Sequence, residues 1–188
     1  MRIVIVGGVA AGMSAAARAR RLDESAEIIV LERGEHVSFA NCGLPYYVGG
    51  EIEQQSSLLV QTPASLRAAL NLDVRVNTEA VGLDAGAKIL TLRTAAGEER
   101  LEYDALILAP GAFALHPPIA GLDSPRVHTL RTVADAVTLR QMVEDGAKKA
   151  VVLGAGFIGV EAAEAFHRQG LEVDIVEFAA HLLPPLEN

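Results

Sequence analysis

Cysteine is almost absent: Cys42 is the one thiol in 188 residues. No internal disulfide can form, so Cys42 is either buried as a small apolar side chain or reacts with something outside the chain. A basic excess is missing too. The formal net charge is −8 and the isoelectric point about 5.1. Apart from one short helix face nothing forms a basic stripe, and no nucleic-acid partner is expected. Apolar runs such as Ile3 to Val6 are too short to cross a bilayer, and MRIVIVGG leads directly into a strand rather than a signal sequence, so no membrane partner is expected. The five histidines, His36, His116, His128, His167 and His181, fall in no H-E-x-x-H or Cys-His spacing, so no metal is expected. There is no G-x-S-x-G elbow either. What is there is 51% hydrophobic and 21% charged, ordinary for a well-buried α/β chain without disorder. A lone free cysteine suits the reducing cytoplasm.

Ile3 to Val6 is a continuous β-branched run, the mark of a parallel strand buried on both faces, and Gly7-Gly8 turns it into an alanine-rich helix from about Ala10 to Leu22. A strand from Glu27 to Leu31 follows and ends at Glu32, 25 positions after Gly7. That is near the spacing at which an acid accepts the adenosine ribose hydroxyls. The turn Gly7-Gly8-Val9-Ala10-Ala11-Gly12 departs from G-x-G-x-x-G at Val9, where a glycine would let the backbone approach a pyrophosphate; the adjacent Gly8 can compensate.

A second turn is complete. Ala150 to Leu153 reads as a strand, Gly154-Ala155-Gly156-Phe157-Ile158-Gly159 as a full fingerprint, and Val160 to Arg168 as its helix. Val173 to Val176 is a strand ending at Glu177, 23 positions after Gly154. Backbone amides and the helix N-terminus would face the pyrophosphate, while Glu177 would bond the ribose 2′-hydroxyl and repel a 2′-phosphate. No Arg or Lys follows Glu177, so NADH is preferred to NADPH.

Between the turns, Thr62-Pro63 starts a helix to about Leu70 and Val74 to Asn77 alternates like a strand. Glu79 to Leu83, Lys88 to Arg93 and Glu99 to Tyr103 form a meander, and Ala105 to Leu108 is a further strand before the turn Ala109-Pro110-Gly111. Phe113 to Arg126, with Pro117, Pro118, Gly121 and Pro125, is extended; Thr132 to Asp145 is a helix with Thr132 as its cap and Val133, Ala136, Val137 and Arg140 at helical spacing. The fold class is therefore α/β: a Rossmann-like unit with a β-meander over 1–112, a linker over 113–131, and an incomplete second Rossmann-like unit over 132–188. The second is expected to be incomplete because the sequence reaches Asn188 after one β-α-β.

Ser14, Arg18 and Arg21 share a face of the first helix, where the two guanidinium groups either grip phosphates or pair with Asp23 and Glu24 on a solvated surface. Around Cys42 runs SFANCGLPYY, Ser38 to Tyr47. Ser38 and Asn41 are capping residue types, which places Cys42 at the first turn of a short helix that Gly49-Gly50 would end. The partial positive charge at such a helix start would pull the thiol below its free value of about 8.5 and favour thiolate.

This segment resembles the active-site loop of the coenzyme A-disulfide reductases, the single-cysteine branch of the pyridine nucleotide-disulfide oxidoreductases, which also includes persulfide reductases and related NADH oxidases. The likeness runs over all 188 residues, and the GGVAAG turn is familiar in that family. Members with a redox dithiol have C-x-x-x-x-C; position 47 here is Tyr47, so the redox partner of Cys42 would be a substrate thiol or oxygen. The resemblance implies FAD held by Gly7, Gly8, Val9, Ala10, Ala11, Gly12 and Glu32, with Arg33, Asn41, Val81, Ala109, Pro110, Gly111 and Arg131 contributing on the flavin side. Ala109 replaces the family's Thr or Ser, so a contact there would come from backbone. NADH is implied at Gly154, Gly156, Phe157, Ile158, Gly159 and Glu177, with Glu161 near the nicotinamide; Glu164, on the same helix, could simply face solvent. Ser14, Arg18, Arg21, Ser38 and Asn41 match a coenzyme A site beside the cysteine, while a further basic residue often found there falls near Leu70.

The implied reaction takes hydride from NADH to FAD and electrons on to Cys42, whose thiolate attacks a small-molecule disulfide, persulfide or coenzyme A-linked substrate. The alternatives are an NADH oxidase passing electrons to oxygen, or a nucleotide-binding fragment inactive by itself. In the family the chain continues through the rest of the NADH domain to a dimerisation domain, so the parent is expected to be a homodimer.

Overall fold

The β-branched run at the N-terminus forms the strand its composition demands, in a computed structural model that describes residues 1–183. In chain order the elements are β1 (Arg2–Val6), α1 (Ala10–Leu22), β2 (Glu27–Leu31), α2 (Leu44–Val48), α3 (Pro63–Leu70), β3 (Asp73–Arg75), β4 (Glu79–Asp84), β5 (Ile89–Thr94), β6 (Gly97–Glu102), β7 (Ala105–Leu108), α4 (Val133–Glu144), β8 (Lys149–Leu153), α5 (Phe157–Arg168) and β9 (Glu172–Val176). Two short 3-10 turns, Asn41–Gly43 and Gln55–Leu58, flank α2. The described residues form two compact units, Met1–Phe39 with Leu59–Phe113, and Ala40–Leu58 with the residues from Ala114 onward.

The first unit is built on a parallel sheet of order β3-β2-β1-β7. Because alternate strand residues face opposite sides, Ile3, Ile5, Ile28 and Val30 meet Met13, Ala16, Leu66 and Leu72 on the helical side. Val4, Ile29 and Leu31 meet Leu90, Leu92 and Leu101 of the meander on the other. Burying each such side chain contributes about 1.5–3 kcal/mol, so a polar residue at Val4 or Ile5 would cost the sheet one of its two covers. β3 sits one residue earlier than the Val74–Asn77 expectation and ends sooner: Asn77 turns to φ +51°. The Asn77 and Thr78 amides then donate to Gly34 and Glu32 carbonyls outside the ladder.

α3 starts where predicted, with Pro63 in its first turn and a reciprocal Thr62–Ser65 capping box, and ends on left-handed Asn71. The arginine of α1 that is engaged is Arg20, 9% exposed. It donates to the carbonyls of Leu70, Asn71, Asp23 and Glu24, tying the ends of α1 and α3 together.

In the second unit Thr132 is the N-cap of α4 as predicted, and the structure adds a reciprocal bond from Asp135. β8 and β9 pair in parallel beneath α5. Val151, Leu153 and Val176 on them are more than half exposed, unlike β1 and β2. α2 packs against α4 and α5, with Tyr47, Val48, Val133, Ala136, Ala165 and Phe166 buried in this unit. Residues 114–131 contain no helix or strand. Of the second unit as read from sequence, Pro184, Pro185, Leu186, Glu187 and Asn188 lie outside the described residues.

Candidate functional site

At the end of β1 the chain reverses through Gly7 at φ +104°, a conformation that favours glycine. A Cβ on Gly7 would sit 2.0 Å from the Ala109 carbonyl oxygen, and one on Gly12 would sit 1.8 Å from the Gly7 oxygen. Both glycines are therefore required by close backbone approach. The Glu32 carboxylate accepts from the Gly8 and Gly34 amides, each at 2.8 Å. Val9 is the N-cap of α1 and no side chain caps the helix, so its leading amides are free to take a phosphate. Each Glu32 oxygen keeps lone-pair capacity for a ribose hydroxyl. These residues fit a dinucleotide.

The other sequence-derived positions of this unit divide into two groups. Ser38, at φ +47°, is pinned to the glycine turn by its amide bond to the Gly8 carbonyl. With Ser14, Val9, Met13, Phe39 and Leu66 it lines a cavity of about 490 Å³. Arg18 and Arg21 are exposed and make neither the expected surface pairs nor any other ion pair among the described residues. The Arg33 guanidinium lies 4.4 Å from the Phe113 ring centroid. Val81 falls at an irregularity in the β4–β5 ladder. The Ala109 amide donates to the Val6 carbonyl, fixing the turn that continues through exposed Pro110 and Gly111.

The second turn repeats the first. Gly154 adopts φ +96°, a Cβ on Gly159 would lie 2.0 Å from the Gly154 oxygen, and Gly156 is the uncapped N-cap of α5. The Glu177 carboxylate accepts from Ala179 at 2.8 Å and Ala155 at 2.6 Å. Those backbone bonds, Ala179 first and Ala155 second, hold Glu177 below the usual carboxylate range. This turn also fits a dinucleotide. Phe157 and Ile158 are exposed at the start of α5, and Glu161 is half-buried on it. Arg131 is half-buried, and its amide donates to Asp135.

Cys42 is exposed, in the 3-10 turn ahead of α2. The expected capping by Ser38 and Asn41 does not occur: Ala40 and Gly43 occupy the two N-cap positions, and neither helix start has a side-chain cap. The reason is that Ser38 is committed to the first glycine turn, while Asn41 is itself the first residue of the 3-10 turn, exposed, with its carbonyl accepting from Leu44. Gly43 stays small because a Cβ there would press within 3.1 Å of Leu58 and 3.2 Å of Ile52. Gly49 does end α2, as expected.

Three side chains that hold this segment, Arg140, Gln169 and Arg168, have no role assigned from sequence. Arg140 donates to the carbonyls of Tyr47 at 2.8 Å and Ile52 at 3.2 Å, and to Glu144 at 2.7 Å. Gln169 donates to the Gly49 carbonyl, and Arg168 pairs with Glu51 at 3.0 Å. The available signal was a cation on the apolar stripe of α4.

Comparison with known proteins agrees with this geometry. Over 186 residues the chain is 34% identical to an NADH oxidase of Methanocaldococcus jannaschii, covering 98% of this chain and 42% of that protein. A solved structure of reduced CoADR-RHD from Bacillus anthracis superposes with a TM-score of 0.96 at 44% identity, over 99% of this chain and 34% of that one. An NAD-dependent persulfide reductase from A. fulgidus superposes at 0.97 with 40% identity, over 100% of this chain and 35% of that one. The chain thus spans less than half the length of these relatives. Residues 1–188 match the profile of the pyridine nucleotide-disulphide oxidoreductases, and the chain belongs to that family.

Proposed function

We propose that this chain carries the flavin turn, the NADH turn and the reacting thiol of an FAD- and NADH-dependent disulfide or persulfide reductase. The observation that carries the reading is Cys42, the only cysteine of the sequence, exposed on a short turn. Gly7 to Gly12 and Glu32 would hold FAD, with 1–112 as the flavin part, 113–131 as the linker and 132–188 as the NADH part. Gly154 to Gly159 would hold NADH, and the Glu177 anion would disfavour a 2′-phosphate, so kcat/KM for NADH should exceed that for NADPH. Bound FAD and NADH would supply two electrons as a hydride and its relay. Cys42 Sγ would bond to one substrate sulfur as the substrate S–S bond breaks and the other sulfur leaves as thiolate; two electrons would then cleave the resulting mixed disulfide, restoring the Cys42 thiolate and releasing the second substrate thiolate. Ser14 and Ser38, lining one cavity, with Asn41 and with Arg18 and Arg21, which make no ion pair among the described residues, are proposed to receive a coenzyme A-linked substrate.

Replacing Cys42 with Ser should leave NADH-to-ferricyanide electron transfer intact and lower NADH-dependent reduction of coenzyme A disulfide by more than ~10³-fold. Unchanged disulfide turnover would overturn the role of Cys42. Similarity to an NADH oxidase supports a second reading in which oxygen is the acceptor; NADH consumption under air without a sulfur substrate would favour it. We place the protein in the cytoplasm, because an exposed lone thiol suits a reducing compartment. No helix among the described residues is long and apolar enough to cross a membrane. We also propose a homodimer, which sedimentation would test.

A further inference from the structure

We propose that Arg140 is a positioning residue for Cys42, acting through α2. A helix of five residues is too short to persist by itself. The carbonyls at its C-terminal end also have no partners within it. Here the turn that follows satisfies them in part, the Gly49, Glu51 and Gly50 amides donating to the Pro45, Tyr46 and Tyr47 carbonyls, and Arg140 adds a second donor to Tyr47 from α4. The Arg140 guanidinium donates to Tyr47 and Ile52 carbonyls, lies 5.1 Å from the Tyr47 ring centroid, and is steadied by Glu144. Its side chain is 22% exposed, so much of this cation is withdrawn from water to bond backbone, which a plain surface pair would not require. Gln169 adds a donor to Gly49 O, and Gly49 lies so close to α5 that a Cβ on it would approach Ala165 Cβ to 3.2 Å.

The consequence follows from connectivity. Cys42 is two residues ahead of Leu44, and the 3-10 turn runs directly into α2, with the Leu44 amide bonded to the Asn41 carbonyl. Fixing the far end of α2 to α4 and α5 therefore fixes the direction from which the sulfur is presented. Attack on a disulfide needs that direction, since small misplacements of a reacting atom cost about 10²-fold. Lysine cannot reproduce the fork, because one ammonium does not span two carbonyls with the guanidinium's planar geometry.

The inference rests on the proposed role of Cys42 and is tested beside it. Arg140→Gln should lower turnover of coenzyme A disulfide about 10- to 100-fold, while the KM for NADH and NADH-to-ferricyanide transfer, which bypasses the thiol, stay unchanged. Arg140→Lys should recover part of the loss. Parallel falls in disulfide and ferricyanide turnover would mark Arg140 as merely structural and overturn the proposal, as would no fall in either. Cys42→Ser separates the two claims: if Cys42→Ser abolishes disulfide turnover and Arg140→Gln does not lower it, Arg140 alone fails. If Cys42→Ser keeps that turnover, the proposed function fails and this inference with it.

Discussion

The two glycine turns of the chain share one design and differ in how tightly it is closed. In both, a glycine at positive φ leads a helix that no side chain caps, and an acid at the end of the next strand accepts two backbone amides. In the first, Gly7 is pressed against Ala109 and Gly8 against Val37 and Glu32. In the second, no described atom lies within 4 Å of a Cβ placed on Gly154 or Gly156, and Ala155 stands where the first has Gly8. The repeated features are those a pyrophosphate and ribose require; the extra closure belongs to the neighbours each turn happens to have.

The difference predicts unequal responses to the same substitution. Gly7→Ala meets both a positive φ and a carbonyl at 2.0 Å, and should cost about 3 kcal/mol or more and strip flavin from the protein. Gly154→Ala meets only the backbone strain and should cost about 1–2 kcal/mol. Thermal melts of both variants check this; equal losses would break the comparison. Next in size, Gly8→Ala would bring its Cβ to 2.8 Å from Val37 and 2.9 Å from Glu32, for a cost of about 1–3 kcal/mol. Ala155→Gly, the reverse exchange in the other turn, should cost about 0.5–1 kcal/mol through added freedom of the unfolded chain.

The smallest effect concerns pH. Glu177 is held below its ordinary value of 4.5 by the Ala179 and Ala155 amides. For a carboxyl lowered on folding, the stabilisation is fully present above the ordinary value and is lost as pH falls through the lowered one. The amide resonances of Ala155 and Ala179 should therefore shift together with a midpoint below 4.5, and Glu177→Gln should abolish that titration. A midpoint at or above the ordinary value would remove this anchor from the comparison.

Much of this was legible in sequence because it is local. Glycine spacing, a β-branched run and an acid at a set distance announce a strand, a turn and a helix without reference to distant residues, and both turns with their acids follow from it. The helix starts at Thr62-Pro63 and Thr132 were equally local, whereas the reciprocal bonds of Ser65 and Asp135 emerge in the structure. What escaped depends on contacts between remote segments. Ser38 has a capping side chain, yet its backbone is claimed by Gly8, so composition misdirects. Arg18 and Arg21 drew attention by their shared face, whereas it is Arg20 that the fold buries, against carbonyls of α3 that no helical period reveals. Nor does chain order show that Ala40–Leu58 packs in the second unit, held there by Arg140 and Gln169.

The contact of Gly7 with Ala109 also sets a sequence of events in time. During synthesis the leading turn emerges first, but it cannot take its final shape until β7 has left the ribosome and paired with β1. Closing so long a loop is slow and exposes apolar strands meanwhile. Among the described residues the second turn is built from β8, α5, β9 and the segment just after them, whose Leu183 amide donates to the Ala155 carbonyl, and these are contiguous. The later-made turn should form soon after its own segment emerges, and the earlier-made one must wait.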